Sequence, residues 1–153
     1  MHTLESVLAR HPFFAGLADE YLALIAGCAT NRIFKADEYL FRESEEATEF
    51  YIIRHGRIAI EAYTPIQGKV VVYTHDAGDV VGWSWLFPPY HWHFSGRAME
   101  LTRVISLDGT CLRGKCEEDR ILGYEFLKRF SYKVVHSLDE TRLQLLDIYR
   151  STP

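Results

Sequence analysis

A chain of 153 residues, 48% hydrophobic and 25% charged, has the length of one domain able to bury roughly two thirds of the surface its unfolded form exposes, and it needs no covalent staple to fold. Its formal charge of −4 comes from 17 basic and 21 acidic residues scattered in both signs, which offers no basic face to DNA or RNA; nucleic acid is not an expected partner. No stretch approaches the ~20 apolar residues of a membrane span, and the opening "MHTLESVLARHPFF" has no apolar run of the signal-peptide kind, so no membrane partner and a cytoplasmic location are expected.

In chain order, Leu17, Tyr21, Leu24, Ile25 and Cys28 repeat at helical spacing behind Asp19 and Glu20, which predicts one N-terminal helix. Between Asn31 and Leu107 the pattern changes to short runs rich in β-branched and aromatic residues: "RIF", "EYLF", "EFYIIR", "GRIAIEAY", "KVVVYTH", "DVVGW", "GRAME" and "TRVISL". His55-Gly56, Pro65 to Gly68 and Asp76 to Gly78 supply the turns. Helical patterning returns with "TCLRGKCEE" from Thr110, and then, with Asp119 as N-cap, along a run from Ile121 to about Tyr149. In that run Leu127, Phe130, Val134, Leu138, Thr141, Leu145 and Ile148 are spaced by three and four, predicting one seam along the whole helix. Up to about eight turns at ~5.4 Å each exceed what one small core requires, so the distal half is expected to pair with the same helix of a second subunit.

The fold class that follows is α+β, mainly β: an eight-stranded antiparallel jelly-roll barrel flanked by an N-terminal helix and a long C-terminal helix. One domain spans 1–153, with helical ends at 1–30 and 110–150 and the jelly roll at 31–108. Cys28, Cys111 and Cys116 are an odd number without a CxxC, and on a helix Cys111 and Cys116 point ~140° apart, so no structural disulfide and no iron–sulfur cluster is expected.

Four stretches, "ATEFYIIRHGRIAIEAY" (47–63), "HDAGDVVGW" (75–83), "RAMELTRVISLD" (97–108) and "HPFFAGL" (11–17), carry a further likeness. With the helix, jelly roll and exit helix around them, the chain resembles the cyclic nucleotide-binding domain superfamily, in its catabolite activator (Crp-Fnr-like) and kinase regulatory-subunit forms. The first stretch is similar to that family's "ad.fYiI..G.v.v" and the second to its "l..GdvvGE". The resemblance implies a ligand cassette of the form G-E-x-A-L followed by P-R-[STA]-A, in which arginine holds a cyclic phosphate and glutamate accepts from the ribose.

That cassette falls on "GWSWLFPPYHWHF" (82–94), which holds all three tryptophans, and without gaps it places Trp83 at the glutamate and Trp92 at the arginine. His93 and Phe94 replace the small residues that follow. Losing each charge-assisted contact costs about 1.5 to 3 kcal/mol, so cyclic AMP or cyclic GMP is not expected to bind tightly. Pro88-Pro89 removes two donors and truncates the short helix that would present N–H groups to phosphate. Arg97 matches a basic residue the family often carries along the following strand, either as a substitute cation or as a structural contact.

Three uses of the rings stay open. Trp83, Trp85 and Phe87 could fill the jelly roll as core; the indoles could stack on a planar or apolar small molecule, with Ser84, His91 and His93 as polar contacts; or "FPPYHW" could form a hot spot for a protein partner. Strand parity favours Trp83 and Trp85 inside, with Tyr90 and Trp92 on a surface loop after two prolines. Candidate ligand contacts are therefore Gly82, Trp83, Ser84, Trp85, His91, Trp92, His93 and Arg97. His91 and His93, without a carboxylate or thiol at matching spacing, read as capping an aromatic surface, although haem sensors exist in the superfamily; no cofactor is expected. GxSxG, P-loop, HExxH and Gly-rich dinucleotide motifs are all missing, and catalysis is not expected. A winged helix-turn-helix like that of the related transcription factors, and with it direct promoter binding, is not expected, because few residues follow Tyr149. The reading is a regulatory or sensor module with an altered cassette; its rival is a structural pseudo-domain for dimerisation or assembly with a filled pocket.

Overall fold

In the computed structural model, which describes residues 3–150, the eight predicted strands are all present. They are β1 (Ala29–Phe34), β2 (Tyr39–Phe41), β3 (Glu49–His55), β4 (Arg57–Thr64), β5 (Gly68–Asp76), β6 (Val80–Val81), β7 (Ser95–Ala98) and β8 (Thr102–Asp108). They pair as two antiparallel four-stranded sheets, β1-β8-β3-β6 and β2-β7-β4-β5, a jelly roll of two layers rather than one closed barrel. The central strands β3 and β8 are buried on both faces and read as near-continuous apolar runs, whereas the edge strand β5 alternates. On β3 this alternation separates two environments. Tyr51 meets Phe34 and Phe41, while Phe50 meets Trp85, Phe126 and Phe130 on the opposite side.

The N-terminal region corrects the expectation of one helix. It contains α1 (Leu4–Arg10), a 3-10 turn at Pro12–Phe14 and α2 (Asp19–Ala26). Thr3 caps α1 by accepting from the Ser6 amide, and Pro12, which has no amide to donate, stands just beyond its end and opens the next turn. Leu8, Phe13 and Phe14 are buried, and Phe13 packs edge-on against Phe130.

After β8 come α3 (Gly109–Glu118) and α4 (Arg120–Arg150). Asp108 caps α3 through the Cys111 amide; Asp119 accepts from the Ile121 and Leu122 amides and from the Tyr21 hydroxyl. Those bonds, led by the one from Leu122, hold its carboxyl below the usual range. The single seam expected along α4 is corrected. Phe130 is 1% exposed and belongs with Leu122 and Phe126 in the chain's own core, whereas Leu127, Leu138, Leu145 and Ile148 are exposed and Val134 is half-buried. The first half of α4 faces the jelly roll and the second half leaves it. No described helix is long and apolar enough to cross a membrane.

Candidate functional site

Between β6 and β7 the chain makes no helix, only tight turns, with the Leu86 amide bonded to the Trp83 carbonyl and the Tyr90 amide to that of Phe87. Its return leg is pinned to the β2–β3 connection: the Ala47 amide bonds the Tyr90 carbonyl, the Trp92 amide bonds that of Glu45, and the Ser44 amide bonds that of Trp92. His91 and Glu46 form an isolated bridge. Pairing of this kind imposes strand-like alternation, so His91 and His93 point outward and Trp92 inward. The expected surface placement of Trp92 is thereby corrected.

The three tryptophans reach three different places. Trp92, 7% exposed, stacks on Phe41 with ring centres 3.9 Å apart. Two glycines make the room: a Cβ on Gly82, which has a φ of +100°, would come within 2.7 Å of the Trp92 ring, and a Cβ on Gly96 within 2.5 Å of the Phe41 ring. Trp85, fully buried, stacks on Phe50 at 5.0 Å and meets Phe126 and Phe130 edge-on at 5.9 and 5.3 Å. It lies on a turn, not on the inner face of a strand, because β6 ends at Val81. Arg113 of α3 holds this turn from outside, donating to the Trp85 carbonyl at 2.6 Å and lying 4.1 Å over the Tyr90 ring.

Trp83 is only partly buried and separates two cavities. One of about 60 Å³ lies among Ile60, Tyr73, His75, Gly82, Trp83 and Trp92. The other, about 370 Å³, lies between the turn and α4, bounded by Trp83, Phe87, Pro88, Ser131, Val134 and Val135. Ser84 and His93 border both; Trp85, His91 and Arg97 border neither. No lysine, arginine or carboxylate lines either cavity. His75 carries a lowered pKa, first because burial penalises the cation and despite Asp79 at 3.2 Å, so the imidazole in the smaller cavity favours its neutral form.

Arg97 is committed elsewhere. Its guanidinium donates to Glu61 at 3.0 Å and to Asp37 at 2.9 Å, and the bond to buried Glu61 is the main cause of its raised pKa. Tyr39 donates to the other Glu61 oxygen. The structural contact, and not the substitute cation, is what these bonds support.

The cyclic nucleotide-binding domain family model matches residues 31–119. The chain belongs to this family. A search of curated proteins found no match. Among solved structures, the chain is similar to a candidate cyclic nucleotide-binding protein from Geobacter metallireducens at 27% identity and TM-score 0.79, covering 90% of this chain and 99% of that one. The sensor domain of the transcriptional regulator DNR from Pseudomonas aeruginosa shares the fold at 16% identity and TM-score 0.70, covering 89% of this chain and 91% of that one. So does the regulatory domain of a Toxoplasma gondii protein kinase crystallised with cyclic AMP, at 20% identity and TM-score 0.72, covering 87% of this chain and 49% of that one. The segment at 82–94 lies within the matched residues. Here the Trp92 indole, with Phe41, occupies the volume beside Gly82.

Proposed function

We propose that this cyclic nucleotide-binding domain is a non-enzymatic regulatory sensor whose cassette takes a neutral, planar or apolar small molecule instead of a cyclic nucleotide. The observation that carries the reading is the cavity of about 370 Å³ between the aromatic turn and α4, walled by an indole and valines and bordered by no cation. Small-molecule sites span about 300 to 1,000 Å³ and are mostly apolar with a few placed polar groups, a role that Ser84, Ser131 and His93 would fill here. A phosphate in this cavity would lose water and gain no charged partner.

The output would pass through α4. Val134 and Val135 wall the cavity, and from Leu138 onward every described residue of the helix is exposed in the single chain. Leu138 and Leu145 lie seven residues apart on one stripe, the spacing with which two copies of a helix pack. A homodimer through α4 would join the two cassettes.

A second reading has its own support. Trp85 and Trp92 are buried, as core residues would be, and the smaller cavity leaves little space, which suits a pseudo-domain serving assembly. Calorimetric melts with adenine, indole and cyclic AMP separate the readings, because a ligand that binds only the folded state raises Tm with concentration. Adenine or indole should raise Tm in the parent and not in Val134→Trp, which fills the cavity; cyclic AMP should do nothing at micromolar concentration. Saturable micromolar binding of cyclic AMP would overturn the altered-cassette reading. No shift with any probe, together with an unaltered melt for Val134→Trp, would favour the pseudo-domain.

A further inference from the structure

The three cysteines are unpaired as disulfides, but two of them touch. Antiparallel pairing of β1 with β8 sets Ala29 opposite Leu107, so Cys28, one residue earlier, stands beside Asp108, whose amide bonds the Cys28 carbonyl at 2.9 Å. The chain then turns into α3, and its first turn brings Cys111 back over the same spot. The two sulfurs are 2.8 Å apart, one thiol donating to the other, and both residues are partly exposed. Sequence spacing alone directs attention to Cys111 and Cys116, which α3 points to different sides; the partner of Cys111 comes from a residue 83 positions away, and strand register is what unites them.

We propose that Cys28 and Cys111 form an oxidisable dithiol that peroxide converts to a reversible intramolecular disulfide, tying the start of α3 to the α2–β1 junction. Cys111 acts first: it lies in the first turn of the ten-residue α3, partly exposed, one turn before Lys115. The Cys28 thiol is pushed up to about 12, chiefly by burial and then by its bond to Cys111, and stays protonated as the resolving partner. The Cys111 thiolate attacks one peroxide oxygen and the O–O bond breaks; the leaving hydroxide takes the proton that the Cys111 thiol released and departs as water. Cys28 sulfur then attacks the resulting sulfenic sulfur, the S–O bond breaks, and the second hydroxide leaves as water with the Cys28 proton. Both sulfurs are oxidised by one electron each and both peroxide oxygens are reduced, so two thiols and one peroxide give one disulfide and two waters.

The bond would act on the cassette through α3. Arg113, on this helix, holds the Trp85 carbonyl and covers Tyr90. Fixing the first turn of α3 therefore stiffens the support of the aromatic turn, a means of reporting redox state in a compartment that keeps most thiols reduced. The proposal does not depend on which ligand the cassette takes.

The test is native-state oxidation of the parent protein with hydrogen peroxide, followed by intact mass measurement and non-reducing peptide mapping. A loss of two hydrogen atoms, a linked Cys28–Cys111 peptide and a free Cys116 are expected, with a higher Tm that dithiothreitol reverses. The link should survive Cys116→Ser and vanish in Cys28→Ser and Cys111→Ser. Slower hydrogen exchange at residues 83–92 in the oxidised form should accompany it. Stepwise oxidation of Cys111 to sulfinic acid while Cys28 stays reduced, a link that includes Cys116, or a Cys28–Cys111 link that forms only after unfolding would each overturn the proposal.

Discussion

At the level of single residues, Trp83 and Trp92 have different work. Trp92 extends a stack through Phe41 toward Tyr51, with Phe41 and Tyr51 ring centres 6.1 Å apart, and so ties β2 to β3. Trp83 faces the cavities and is only partly buried. Large-to-small changes at packed aromatic sites cost about 3 to 5 kcal/mol, so Trp85→Ala and Trp92→Ala should both fall in that range in urea unfolding, while Trp83→Ala should stay below about 1.5 kcal/mol. A mild Trp92→Ala would mean that the Phe41 stack adds little. Gly96→Val should be as damaging as either, because its side chain would enter the Phe41 ring. The sequence made the crowding of rings in this segment plain, but strand parity put Trp83 inside with Trp85, and the ring is only partly buried because β6 ends at Val81 and Gly82 leaves the sheet before it. The sequence misdirected Trp92 because loop position after two prolines says nothing of the backbone pairing with residues 44–47 that turns that ring inward.

Among the elements, those with a strong local period were readable. All eight strand runs appear in the fold, since β-branched runs bounded by turns leave the chain few other ways to bury itself. The run "DVVGW" is the exception in extent. Only Val80 and Val81 pair, because Gly82 takes a positive φ and leaves the sheet. α1 has just one buried residue, Leu8, too little for a periodic signal, and was not legible. In α4 the spacing by three and four is real, but burial divides it between two surfaces, which no count of apolar positions within the helix could reveal. That division sharpens the expected dimer. Leu138→Glu or Leu145→Glu should move the protein toward monomer in light scattering without lowering Tm of the monomer, since neither side chain packs on its own jelly roll; Phe130→Glu should instead unfold it. A parent protein that scatters as a monomer would remove the second copy from the account.

For the molecule as a whole, the response to acid separates the cassette from the helical ends. His75 sits by the smaller cavity, edge-on to Tyr73 at 5.1 Å, with Asp79 and Asp76 on its own hairpin and the charge of Lys133 on α4 acting on it. Burial lowers its pKa and Lys133 adds to that, while Asp79 and Asp76 oppose; the net direction is down. Unfolding therefore takes up a proton as pH falls through the ordinary imidazole range, where the unfolded chain is protonated and the folded one is not. Stability from this group is complete above the unfolded pKa, declines below it, and levels off once pH passes under the folded pKa. Asp119, whose pKa is lowered by its amide and tyrosine bonds, behaves in the carboxylate range instead, keeping its contribution until pH falls toward its depressed value. Two windows should thus be resolved in urea midpoints measured across pH. Loss between about pH 7 and 5 should disappear in His75→Gln, and loss at lower pH should shrink in Asp119→Asn, the remainder belonging in part to Glu125, whose pKa is also lowered, first by its bond from Lys128. Since the folded imidazole stays neutral through this window, a neutral ligand that reaches the smaller cavity should keep its affinity there and weaken only as pH falls through the lowered folded pKa. A His75→Gln profile that retains the upper step would assign that step to another group.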